Sequence, residues 1–138
     1  MFTTSVNLVA VLVVTLISMA IGWLWYSPVL FGKAWMSALG KAEADKDAMK
    51  KSAPYALTSE LVATFVKMYV LAKLIAFAMV DAGSQAALIA LWLWLGFVVT
   101  TNLSVVTFEG RSKTAYLISM ASQAVIMVVA AVVLAMWQ

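Results

Sequence analysis

The first 32 residues, Met1 to Gly32, contain no charged side chain, and three further long apolar stretches follow before the chain ends at Gln138. A backbone out of reach of water must close its own hydrogen bonds, and a helix of about 20 residues crosses the roughly 30 Å of hydrocarbon in a bilayer. The pattern predicts an all-α membrane protein with four transmembrane helices in an antiparallel bundle. Composition agrees: 65% of the residues are hydrophobic and 11% are charged, against about 45–50% apolar in a soluble domain. The opening segment lacks the basic start and the small-residue cleavage site of a secretory signal, so it is read as a retained span.

The spans are expected at approximately 5–27, 56–80, 85–108 and 114–137, in a single membrane domain. Pro28 ends the first, because proline disfavours helical geometry in the residue before it. Trp23, Trp25 and Tyr26 lie near that end, with Phe31 and Trp35 just beyond, and such rings prefer the headgroup level. They are read as interface anchors, and residues 30–40 as a short interfacial helix or an ordered loop that Gly40 could stop. Residues 33–54 form the polar connection, a solvated helix or a flexible linker, with Pro54 at the first turn of the second span. Gly83 is expected to reverse the chain before the third span, and Ser84 to cap it. The short connections should make the second and third spans neighbours, and likewise the third and fourth.

On the first span, Asn7, Val11, Thr15, Ser18 and Gly22 recur at helical spacing. Small groups on one stripe suit close helix contact or a lining that meets substrate; Thr15, Ser18, Gly22 and, on the third span, Gly96 are the packing candidates. Lys33, Lys41, Lys46, Lys50, Lys51, Arg111 and Lys113 fall in the first and third connections, whereas the second connection and both ends carry no Lys or Arg. This asymmetry places the basic side in the cytoplasm and both termini outside, in a cell membrane of the bacterial inner-membrane type. The net charge of +3 is matched to anionic lipid headgroups rather than to nucleic acid.

The second span is the anomaly, because it carries Glu60, Lys67 and Lys73. Lys67 lies roughly 16 Å above the helix start, near the bilayer centre, where a lipid-facing charge costs about 2.5–3.5 kcal/mol. Glu60, seven residues earlier, shares its helical face, while Lys73 lies on another. Lys73 is expected to meet protein groups or a polar cavity, with Asn102 and Gln123 on the later spans as candidate partners by chemistry, although depth favours them more for Lys67. These five residues make a possible intramembrane polar site, read either as a polar pocket or ion path, or as snorkelling supported by interhelical hydrogen bonds. No catalytic residue, metal site or cofactor is expected. The chain has neither His nor Cys, and its glycines form no nucleotide-binding fingerprint.

The run Gly22-Trp-Leu-Trp-Tyr-Ser-Pro-Val-Leu-Phe-Gly-Lys-Ala-Trp-Met36 resembles the signature of an uncharacterised membrane family, domain of unknown function 1761. Trp94-Leu95-Gly96-Phe97 and Phe108-Glu109-Gly110-Arg111-Ser112 resemble its later segments. The resemblance implies a four-helix bacterial-type membrane protein and brings no reaction or substrate with it. Small multidrug exporters also have four short spans, but that likeness requires an acidic residue in the first, and none is present. The expected role is a structural or regulatory packing module, with a small oligomeric transporter or channel as the alternative. Membrane lipids are the expected partners, with a second copy or another membrane protein as a further candidate.

Overall fold

The computed structural model describes residues 5–38 and 43–137, the side chains of 43–52 excepted. It is all-helical: α1 is Leu8–Trp25, α2 is Gly32–Ala38, α3 is Glu43–Phe77, α4 is Gly83–Thr107 and α5 is Lys113–Trp137. Helix α4 contains a π-helical segment, Trp94–Val99. Three of these helices, α1, α4 and α5, are long and apolar enough to cross a membrane. The protein is a small membrane protein, and its two-faced apolar helices show why. On α3, Thr64, Met68, Leu71, Ala72 and Ile75 form a buried stripe, yet Val62, Val66, Val70 and Leu74 on the outer side are also apolar. A helix that is apolar all round suits a medium without water.

The core joins α1 (Ala10, Val11, Val14), α3 (Met68, Leu71, Ala72, Ile75) and α5 (Ile126, Met127, Ala130, Ala131, Leu134). Helix α4 packs on α5 through Ala86 and Ala90. Small side chains let two helix backbones approach where hydrophobic collapse offers no drive of its own. The Asn7 side chain is not part of this stripe. It caps α1, accepting from the amides of Val9 and Ala10 at 3.1 and 3.2 Å.

Several boundaries differ from the sequence expectation. Helix α3 begins at Glu43, so Pro54 lies inside it rather than at its first turn. Proline there forfeits one backbone bond and crowds the carbonyl four residues back, and the helix runs through it among Ala, Lys and Met residues that are strong helix formers. The residues after Trp25 form a turn and then the short helix α2; Gly40 and Lys41 lie outside the described residues. The reversal after α3 occurs at Met79 (φ 53°), not at Gly83, and α4 starts from Ala82 without a side-chain cap from Ser84. The Met79 amide donates to Ala76 O and the Val80 amide to Ile75 O, which ties off the helix end with a left-handed residue where glycine is usual. Met79→Gly is therefore expected to stabilise the protein by about 1 kcal/mol, read as a raised unfolding midpoint in detergent.

Helices α3 and α4 are consecutive, yet they are not close packing partners; α1 lies against α3 and α5 instead. The short connection turns the chain around without pressing the two helices together, and a space is left between them.

Candidate functional site

Near the end of the bundle that carries α2 and the α4–α5 connection, the helices part around a cavity of about 610 Å³. Its walls come from every element. Helix α1 gives Ser18, Met19 and Gly22, with Tyr26 just after it; α2 gives Trp35; α3 gives Glu60, Thr64 and Lys67; α4 gives Val98 and Asn102; α5 gives Ser119, Met120, Ser122, Gln123 and Ile126. Glu60 is exposed and Lys67 partly buried, so the acid stands at the mouth and the base further in. The Lys67 ammonium donates to Gln123 Oε1 at 2.9 Å. The Thr64 hydroxyl donates to Glu60 Oε1 at 3.4 Å.

The aromatic segment after α1 holds this end together. The Trp25 indole donates to Ile118 O at 3.0 Å, and the Tyr26 hydroxyl donates to Ser119 Oγ at 3.1 Å. Trp25 also lies against Phe31, with centroids 4.6 Å apart, and Tyr26 meets Trp35 edge-on at 5.0 Å. Trp25, Tyr26 and Trp35, expected as headgroup anchors, thus make contacts inside the protein, while Trp23 is 79% exposed.

The Trp25 bond has a second effect. A serine in a helix ordinarily donates to the carbonyl four residues back, which for Ser122 is Ile118 O. That oxygen already takes the Trp25 indole, and the Ser122 hydroxyl, on a residue 1% exposed, has no partner. A buried hydroxyl without a partner is costly and rare. Ser122 is among the residues that line the cavity.

The π-helical turn shapes the opposite wall. Side chains bond to the carbonyls of this segment: Thr100 Oγ1 donates to Gly96 O at 2.6 Å, Asn102 Nδ2 to Val98 O at 2.8 Å and Tyr116 OH to Val99 O at 2.7 Å. The Trp94 indole fixes the segment to α5 through Met120 O at 2.8 Å. Periodicity gives no sign of such a turn; the one local signal is Gly96 followed by a cluster of Thr and Asn that can bond to backbone carbonyls.

Three segments thus shape the polar end: Gly22 to Met36, Trp94 to Phe97, and Phe108 to Ser112, the last turning at Gly110 (φ 68°) and capping α5 through Ser112 Oγ to the Ala115 amide. A family model described as a protein of unknown function, DUF1761, matches residues 9–135. The chain belongs to the DUF1761 family. No curated protein and no solved structure matches it. This DUF1761 protein is therefore a small membrane protein of unknown biochemical function, and its cavity must be read from its own chemistry.

Of the five residues singled out in the sequence, Glu60, Lys67, Asn102 and Gln123 line the cavity. Lys73 does not; its ammonium lies over the Tyr69 ring, 5.7 Å from the centroid. Thr15 and Ser18 are buried and bond back to Val11 O and Val14 O, at 2.7 and 2.6 Å. Gly22 and Gly96 have open space where a Cβ would stand, so within one chain neither marks a close helix approach. Among the described residues no group of His, Cys, Asp or Glu could hold a metal ion. What the site offers is one base, one acid and several neutral donors and acceptors in a volume that suits a small organic ligand.

Proposed function

We propose that this DUF1761 protein spans the membrane four times and binds a small ligand in the polar cavity around Lys67. The observation that carries the reading is the 2.9 Å contact of a lysine with a neutral amide inside a 610 Å³ space. An ionisable group at membrane depth almost always faces the bundle interior or a water-filled cavity, which supports reading it as part of a functional site.

The fourth span is supported by the path of the chain. Trp25 and Tyr26 bond to Ile118 and Ser119 near the start of α5, while a Cβ on Gly83 would lie 3.3 Å from Val132 near its end. Between residues 26 and 83 the chain must travel from one end of α5 to the other, and α3 is the element that covers that distance. The basic connections then share one face of the membrane, which the charge rule places in the cytoplasm.

A binding role fits better than a conduit through one copy. Beyond the cavity the bundle closes in a layer of Val11, Val14, Met68, Ala72, Ala131 and Leu134, each fully buried. A continuous aqueous route would have to breach that layer.

The absence of native cysteine makes labelling a clean test. In intact vesicles, Ser37→Cys and Ser84→Cys should react with an impermeant maleimide from opposite sides. Ser119→Cys in the cavity should react with a small thiosulfonate, and Ala131→Cys in the core should not. Labelling of residues 37 and 84 from one side would overturn the four-span path; an unreactive residue 119 would overturn the cavity as a ligand site.

A further inference from the structure

We propose that the ligand is a zwitterion, carrying a primary ammonium and an oxyanion, that enters sideways between α3 and α4 as the head of a membrane amphiphile. The inference rests on the proposed ligand site in the cavity and adds the chemistry of its occupant.

Two features give the charge pattern. Glu60 and Lys67 share one face of α3, seven residues and so about 10 Å of rise apart, and both line the cavity. The hydrogen-bond partner of Lys67 is the neutral Gln123, which leaves the ammonium charge uncompensated at that contact. A simple anion would gain from Lys67 but meet the Glu60 carboxylate, and a simple cation would meet the reverse. A molecule with both charges matches both poles, its oxyanion inward on Lys67 and its ammonium outward at Glu60. The Tyr26 and Trp35 rings also line the cavity and add faces suited to a cation.

The unpartnered Ser122 hydroxyl supplies a second donor for the oxyanion. Its usual acceptor is removed by the Trp25 indole, so it is held ready for a group that the polypeptide does not provide. Buried polar atoms in native proteins find partners, and one left over on a residue that lines the same cavity as Lys67 points to an oxygen-bearing ligand.

The route of entry comes from the packing. Helix α1 closes on α3 and on α5, and α4 closes on α5, but α3 and α4 face each other across the cavity without close contact. Other positions on the two helices, Leu61 and Val62 on α3 and Leu95 and Leu103 on α4, are exposed and apolar, as lipid-facing positions are. A gap between two lipid-facing helices admits a molecule that is already in the bilayer. The orientation also matches a lipid of the basic leaflet, in which an ethanolamine ammonium lies outside its phosphate.

The test uses the full chain purified in detergent, with thermal unfolding and native mass spectrometry as readouts. The probes are short-chain phosphatidylethanolamine, phosphatidylglycerol and water-soluble O-phosphoethanolamine. The ethanolamine lipid should bind and raise the unfolding midpoint, and the glycerol lipid, which lacks the ammonium, should bind at least about tenfold more weakly. Glu60→Gln and Lys67→Met should each lose about tenfold in affinity for the ethanolamine lipid, and Ser122→Ala somewhat less. Glu60→Gln keeps shape at an exposed position, so it keeps the test valid if another variant folds poorly. Binding by the soluble head group as tight as by the lipid would overturn sideways entry and leave the zwitterion. Equal binding of the two lipids, or indifference to Glu60→Gln, would overturn the zwitterion while a reactive Ser119→Cys still supports the cavity. A second copy in the α3–α4 gap, seen as a stable dimer that excludes lipid, would overturn the proposal as well.

Discussion

Gly32→Ala is expected to destabilise the protein by about 2–4 kcal/mol, more than substitution at any other described glycine. A Cβ on Gly32 would overlap the Tyr26 carbonyl oxygen and stand 2.7 Å from the Ser27 carbonyl carbon and oxygen. These are backbone atoms inside a tight turn, in which the Phe31 amide donates to Trp25 O at 3.0 Å and the Gly32 amide to Ser27 O at 2.9 Å. They cannot swing aside as the tip of a side chain can. Opening the turn would also displace Trp25 and Tyr26 from their bonds to α5, so the polar end of the bundle should loosen together with the turn. The comparison is Gly22→Ala and Gly96→Ala, where the added methyl meets open space and the gain in helix preference is up to about 1 kcal/mol. Unfolding midpoints of the three variants in one detergent decide the matter. A Gly32→Ala protein that melts with the wild type would mean that the turn does not fasten this end of the bundle.

The three glycines show how far a sequence can be read. Gly22, Gly32 and Gly96 all suit packing or turn positions in sequence, but only the three-dimensional path of Tyr26 and Ser27 shows which one has no room for a side chain. The all-helical architecture was legible because apolar length and the lack of charge in Met1 to Gly32 follow from bilayer thickness alone. The surroundings of Lys67 were legible too: Glu60 by its seven-residue spacing, and Asn102 and Gln123 by chemistry and depth. Lys73 differs from Lys67 by six residues and so faces elsewhere on α3, which is why it sits over Tyr69 rather than in the cavity. The separation of α3 from α4 was not legible, since a five-residue connection dictates direction but not distance. Nor was the π-helical turn, whose apolar residues fit an ordinary helix equally well. The unpartnered state of the Ser122 hydroxyl depends on a bond from Trp25, 93 residues from Ile118 in sequence, and no local pattern encodes it.

Lys67→Met and Gln123→Leu should move stability in opposite directions, although they remove the two halves of one hydrogen bond. Taking away the lysine removes a charge held within the bundle and leaves a neutral amide short of one donor, with an expected net gain of about 1–2 kcal/mol. Taking away the glutamine leaves the ammonium in place without its acceptor, with an expected loss of about 2–3 kcal/mol. The double variant, apolar on both sides, should be at least as stable as the wild type, and unfolding in mixed micelles measures all three. If both single variants lost stability to the same extent, the lysine would be a structural member of the bundle and its bond to Gln123 a sufficient reason for its presence. Opposite signs would show that the fold carries Lys67 at a cost, and a cost to folding is what a binding group placed for a ligand imposes until the ligand arrives.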